Sequence, residues 1–121
     1  MKIARLFSDD EGNTHFDEVD IPFVETNFIG GAQAIGISES WPADRVAIAK
    51  LPSGWMDSQH ATPVRQMCVF LEGIVEMTTS DGEARAFEKG DAVLLEDINS
   101  TGHGTHISGA EDALVVLIRL A

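Results

Sequence analysis

With 121 residues and a formal net charge of −12, the chain has room for one domain and is repelled by phosphate backbones and anionic lipid surfaces. Its basic residues are scattered, so nucleic acid and membranes are set aside as partners. Cys68 is the one cysteine, which excludes an internal disulfide framework. No N-terminal run resembles a signal peptide and no apolar stretch is long enough to span a bilayer, so a cytoplasmic protein is expected.

The first forty residues are acidic around Asp9, Asp10, Glu11, Asp17, Glu18, Asp20 and Glu25, which reads as a solvated, solubilising surface. Phe7, Phe16, Val19, Ile21 and Phe23 make this segment (1–40) an extension that packs on the main body and adds edge strands. Gly30-Gly31 marks a crossing loop. Ser38–Ala43 is expected to hold one short helical turn, after which residues 41–121 form the body of a single domain.

Arg45–Leu51 (RVAIAKL) alternates like a strand and stops at Pro52. Gln66–Thr78 is rich in strand formers, with Gly73 as a bulge or bend. Cys68, inside this apolar run, reads as a buried core thiol. Asp81-Gly82, between two strand segments, predicts a two-residue hairpin turn. Lys89-Gly90 turns the chain into Asp91–Glu96, and a glycine-rich loop runs from Asn99 to Gly104. Ala113–Leu120 (ALVVLIRL) is continuously apolar and suits a strand covered on both faces. About six strands at a spacing of about ten residues favour an all-β sandwich or barrel.

Four histidines are present. His15 and His106 have no partner at usable spacing and are assigned to the surface, with His106 in reserve should the loop register shift. His60 and His103 stand in a different context. Gly54 is followed by five residues and His60; Thr62 comes two later, Gln66 follows after three more residues, and Gly73 after a further six closes the stretch. This frame resembles the first motif of the cupin family, which has a second histidine where Thr62 stands and a glutamate where Gln66 stands. Gly90-Asp-Ala-Val-Leu-Leu, followed after a loop by His103, resembles the second motif, although the usual proline near Glu96 is missing and Ile107 stands where an asparagine is common. The branch most similar is that of small single-domain cupins whose function is generally unassigned.

The resemblance implies a jelly-roll β-barrel whose mouth gathers His60, Thr62, Gln66 and His103, with Trp55 as a rim aromatic or a lid. On one straight strand His60, Thr62 and Gln66 share a parity; His103, Thr105 and Ile107 share another, and His106 faces away. Arg65 points outward. Glu96 or Asp97 could orient His103, while Asp57 and Glu72 fall into turn and surface roles. Complete cupin sites use three histidines and a carboxylate to hold a divalent transition metal. Here the tentative ligands are His60, Gln66 and His103, so one metal (Fe, Mn, Ni or Zn) and no metal both stay open. The primary reading is a small-molecule-binding cupin. The alternative is a metal-dependent dioxygenase, isomerase or lyase acting on a small organic acid. The resemblance also implies a homodimer, paired through the C-terminal strand and an N-terminal strand.

Overall fold

A computed structural model describes residues 1–121 as twelve β-strands with no helix. In chain order they are β1 (Lys2–Ser8), β2 (Thr14–Asp20), β3 (Val24–Thr26), β4 (Ile35–Ile37), β5 (Ala43–Leu51) and β6 (Met56–His60), then β7 (Gln66–Glu72), β8 (Val75–Thr79), β9 (Ala84–Phe87), β10 (Ala92–Glu96), β11 (His103–Ile107) and β12 (Ala113–Leu120). A six-stranded sheet, ordered β2-β1-β10-β7-β12-β5, faces a four-stranded sheet ordered β6-β11-β8-β9; β3 and β4 pair only with each other. The architecture is a jelly-roll β-barrel.

Alternation along each strand sends one set of side chains between the sheets. β11 shows the pattern cleanly: His103, Thr105 and Ile107 are buried, Gly104 and His106 partly exposed. The core between the sheets draws Phe70 and Val93 from one layer and Val75, Met77 and Ile107 from the other; Phe70 stacks on Phe87 at 5.1 Å. Leu6 and Phe16 join the same cluster, so the N-terminal hairpin shares this core. β1 pairs in parallel with β10, leaving β2 as the sheet edge. On the outer face, Ile3, Leu94 and Leu120 pack beneath Ile21 and Trp41.

Several expectations change. Ser38–Pro42 is irregular and contains no helical turn, because Pro42 leads directly into β5. Gly73, at φ +77°, is a corner that carries the chain from one sheet to the other; an added Cβ would lie 2.7 Å from the Ala113 backbone. The β8–β9 connection is a three-residue loop. Gly82 N–H donates to Thr79 O at 3.0 Å and Thr79 N–H to Glu83 O at 2.9 Å, with Gly82 alone at positive φ. The β1–β2 loop repeats the geometry, with Gly12 N–H donating to Asp9 O at 3.0 Å. The outer face of β12 is only partly covered: Val116 and Ile118 are half-buried.

Candidate functional site

The stretch Gly54–Gly73 is two strands, not one. β6 belongs to the four-stranded sheet and β7 to the six-stranded sheet, and the chain crosses between them at Ala61–Arg65. Thr62 and Gln66 therefore come to the mouth by a corner, and His60 arrives from the opposite layer. β6 and β11 are antiparallel neighbours in which His60 directly opposes His103. Opposed residues point to the same face, and the two rings lie 5.6 Å apart at 37°. The spacing from Asp57 to His60 is three residues, against two from His103 to Thr105 on the partner. That extra residue is a bulge, and it turns Asp57 onto the face of His60.

The glycines flanking His103 permit this approach. A Cβ on Gly102, at φ +84°, would meet the His60 carbonyl carbon at 2.1 Å, and one on Gly104 would meet Ser58 O at 2.7 Å. The loop before them is tied internally: Ser100 Oγ donates to Asp97 O at 2.8 Å and accepts from Gly102 N–H at 2.9 Å.

Each imidazole is held by a carboxylate through Nδ1. His103 Nδ1 lies 2.6 Å from Asp97 Oδ2, and Thr62 Oγ donates to Asp97 Oδ1 at 2.5 Å. Asp97 is 0% exposed and His103 4%, so this is a buried network in which both Asp97 oxygens, the Thr62 hydroxyl and His103 Nδ1 are paired. His60 Nδ1 contacts Asp57, nearer solvent. A carboxylate only accepts, so Nδ1–H is the donor in each pair and Nε2 is left without a protein partner. Gln66 likewise has its amide free of protein hydrogen bonds, at half-buried depth.

Behind the histidines a cavity of about 150 Å³ runs between the sheets, lined by sixteen residues of which ten are hydrophobic. His60, Thr62, Gln66, His103 and Trp55 all line it. Trp55, 38% exposed, stands at the rim. Cys68, Phe70, Met77 and Leu117 form the apolar depth, and burial pushes the Cys68 thiol up to about 12, which makes it a packing group and not a nucleophile. A wider depression over Lys50, Glu72, Lys89 and Asp112 is an open, charged surface feature that shares no residue with this cavity.

The sequence reading gave Asp57 a turn or surface role, whereas the structure sets it against His60 Nδ1. Of the two acids proposed to orient His103, Asp97 does so; Glu96 instead binds Arg65 at 2.5 Å and Arg5 at 3.4 Å on the outside of the barrel. His106 is half-buried and its side chain turns away from the site. His15 does have partners: Nε2 lies 2.7 Å from Asp9 and Nδ1 2.9 Å from Asp81, which clamps the two similar hairpin turns together. The hydrogen bonds to Asp9, then Asp81, raise its pKa above the usual imidazole value.

Residues 46–113, more than half of the chain, match the family model of the EutQ-like cupin domain. The chain belongs to this cupin family. Among solved structures, protein NMB1881 from Neisseria meningitidis is similar to this cupin at 18% identity, with a TM-score of 0.50, over 70% of this chain and 89% of that one. The likeness shows the fold alone. The conserved protein SPY1581, of unknown function, from Streptococcus pyogenes matches at 19% identity and a TM-score of 0.47, over 62% of this chain. This cupin spans 61% of the streptococcal protein. No curated protein matches the chain. No helix is long and apolar enough to cross a membrane.

Cupins often hold metals, so the donor set matters. No group of three or more His, Cys, Asp or Glu side chains that could hold a metal ion comes together. Asp57 and Asp97 sit against the Nδ1 atoms, and what faces the cavity is two imidazole Nε2 atoms, the Gln66 amide and apolar side chains. With two imidazoles and one weakly ligating amide, these residues fall short of the three strong ligands that a tightly held divalent cation needs.

Proposed function

We propose that this cupin binds a small organic molecule in the barrel, with an apolar body against Cys68, Phe70, Met77 and Leu117 and a polar head at His60, Gln66 and His103. One observation carries the reading. His103 is almost fully buried and locked in one tautomer by Asp97, yet its Nε2 meets no protein group on the cavity side. No buried side-chain polar atom lacks a partner, so Nε2 is reached from the cavity side, and a fixed ring nitrogen at the head of an apolar cavity is a recognition element. A volume of about 150 Å³ suits a body about the size of a benzene ring.

The test is elemental analysis of chelator-free protein beside ligand-detected NMR, with the His60→Ala, His103→Ala double variant as control. Binding of small aromatic or short-chain compounds without metal, lost in the variant, is expected. Near-stoichiometric metal that disappears in the variant would overturn the metal-free reading and favour a metal-dependent enzyme.

We also propose a homodimer, through the N-terminal β3–β4 ribbon and β5 in place of the C-terminal strand. β12 is paired on both sides, so the C-terminal strand offers no free edge. β5 is a free edge whose outer face exposes Val46 and Ile48, and the β3–β4 ribbon exposes Phe23, Val24, Phe28, Ile29 and Ile35. Such an apolar outer face and such a patch call for a partner. A dimeric mass in sedimentation at micromolar concentration, reduced to monomer by Val46→Lys with Ile48→Lys, is expected; a monomeric wild-type mass would refute it.

A further inference from the structure

The cavity-side face of the six-stranded sheet can be followed row by row through the strand register, because directly opposed residues point the same way. Across one row, Leu95 opposes Gln66, Gln66 opposes Arg119, and Arg119 opposes Arg45. In the next row, Cys68 opposes Leu117 and Leu117 opposes Ala47. Leu95, Gln66, Cys68 and Leu117 line the cavity, so both rows lie on its face. Arg45 and Arg119 therefore stand level with Gln66, at the end where the histidines are. Ala47 is exposed although it belongs to the inner row, so the barrel is open to solvent along β5. Arg45 lies beside that opening, two strands or roughly 10 Å from Gln66, a gap that an extended arginine side chain largely bridges.

The charges around this point are unequal. Arg5, Arg65, Arg85 and Arg119 each have a carboxylate partner within 4 Å. Arg45 has none. Asp44 sits at the irregularity where β5 and β12 slip register, and takes Arg119 in a two-pronged pair at 2.8 and 2.7 Å. Those hydrogen bonds, with the charges of Arg119 and Arg45, hold the Asp44 carboxyl below its usual range. The trio carries one net positive charge in a chain of −12. A guanidinium without a protein carboxylate, beside a cavity mouth, matches a carboxylate in geometry as well as charge.

We propose that Arg45 reads a carboxylate on the ligand, so that this pocket takes a small organic acid, apolar end inward and carboxylate at the β5 side of the mouth. The inference rests on the pocket reading above and adds the ligand class. Arg45 is a specificity residue; Gln66 and the histidines hold the remaining polar atoms.

Paired probes separate the two claims. Propionate with propionamide, and benzoate with benzamide, keep shape nearly constant while removing charge. Ligand-detected NMR on the full chain should show each acid bound at least about tenfold more tightly than its amide, the scale of one charge-assisted hydrogen bond. Arg45→Gln should erase that preference and leave the amide unchanged; Arg45 is exposed, so a thermal melt should match wild type. Asp44→Asn releases Arg119 and should enlarge the preference. Equal binding of acid and amide by the wild type, or a preference that survives Arg45→Gln, overturns the role of Arg45 and leaves the pocket standing. If no probe binds and the His60 and His103 ring resonances do not move, the pocket reading falls, and the proposal with it.

Discussion

Removing the Asp97 carboxylate should be among the most damaging single changes in this cupin. Asp97 is fully buried and accepts from His103 Nδ1 at 2.6 Å and Thr62 Oγ at 2.5 Å. Asp97→Ala strands both donors, and each buried unsatisfied group costs about 1–3 kcal/mol, for roughly 2–6 kcal/mol together. Relief from burying a charge pulls the result toward the lower end. Asp97→Asn keeps the shape and loses the charge-assisted bond, for about 1.5–3 kcal/mol. For a chain of this length the unfolding entropy is about 0.25 kcal/mol/K, so each kcal/mol lowers Tm by about 4 °C. Urea unfolding gives the free energies, and ring ¹⁵N shifts report whether His103 still holds its proton on Nδ1. A change below about 1 kcal/mol for Asp97→Ala, with the tautomer retained, would refute the claim that this carboxylate fixes the site.

Other outcomes follow from the same geometry. Gly102→Ala should prevent folding or destroy the His60–His103 pairing, since its Cβ would meet the His60 backbone at 2.1 Å; Gly82→Ala, with open space around it, should lose only about 1–2 kcal/mol for its left-handed φ. A melt of Gly102→Ala no worse than that of Gly82→Ala would count against the packing. Cys68, pushed up to about 12 by burial, should resist alkylation at mildly alkaline pH until the chain unfolds; labelling of native protein at the free-thiol rate would contradict this. The His15 clamp is pH-dependent. His15 titrates above its ordinary 6.5, so its contribution is full below 6.5 and fades as pH rises through the raised value; Asp9, lowered first by its hydrogen bond to His15, titrates below 3.8, so its contribution holds above 3.8 and fades as pH falls through the lowered value. Wild-type Tm should therefore fall relative to His15→Asn as pH rises from 6.5 through the raised value, and parallel curves would show that the clamp does not act.

The fold was legible because it depends on local signals. Alternation wrote β5 into the chain, a continuous apolar run wrote β12, and Gly82 and Gly90 marked the turns before β9 and β10. The site was legible in part, through the spacing of His60 and His103. Parity counting failed where the backbone left a straight strand. Pro63 lies at a sheet-to-sheet corner between Thr62 and Gln66, and the β6 bulge brings Asp57 round to His60. Neither event has a one-residue signature, because both are set by packing between layers. His15 was unreadable for a similar reason: its second carboxylate, Asp81, lies 66 residues away. Arg45 was visible only as an exposed strand residue until the register placed it level with Gln66.

The most direct test of the pocket is a titration of chelator-treated protein, labelled with ¹⁵N at histidine, with benzoate. Saturable shifts at Nε2 of His60 and His103, with His15 and His106 unmoved, are the predicted result. Shifts that occur only after metal is added back, or none at either ring, would contradict a metal-free binding pocket at this site.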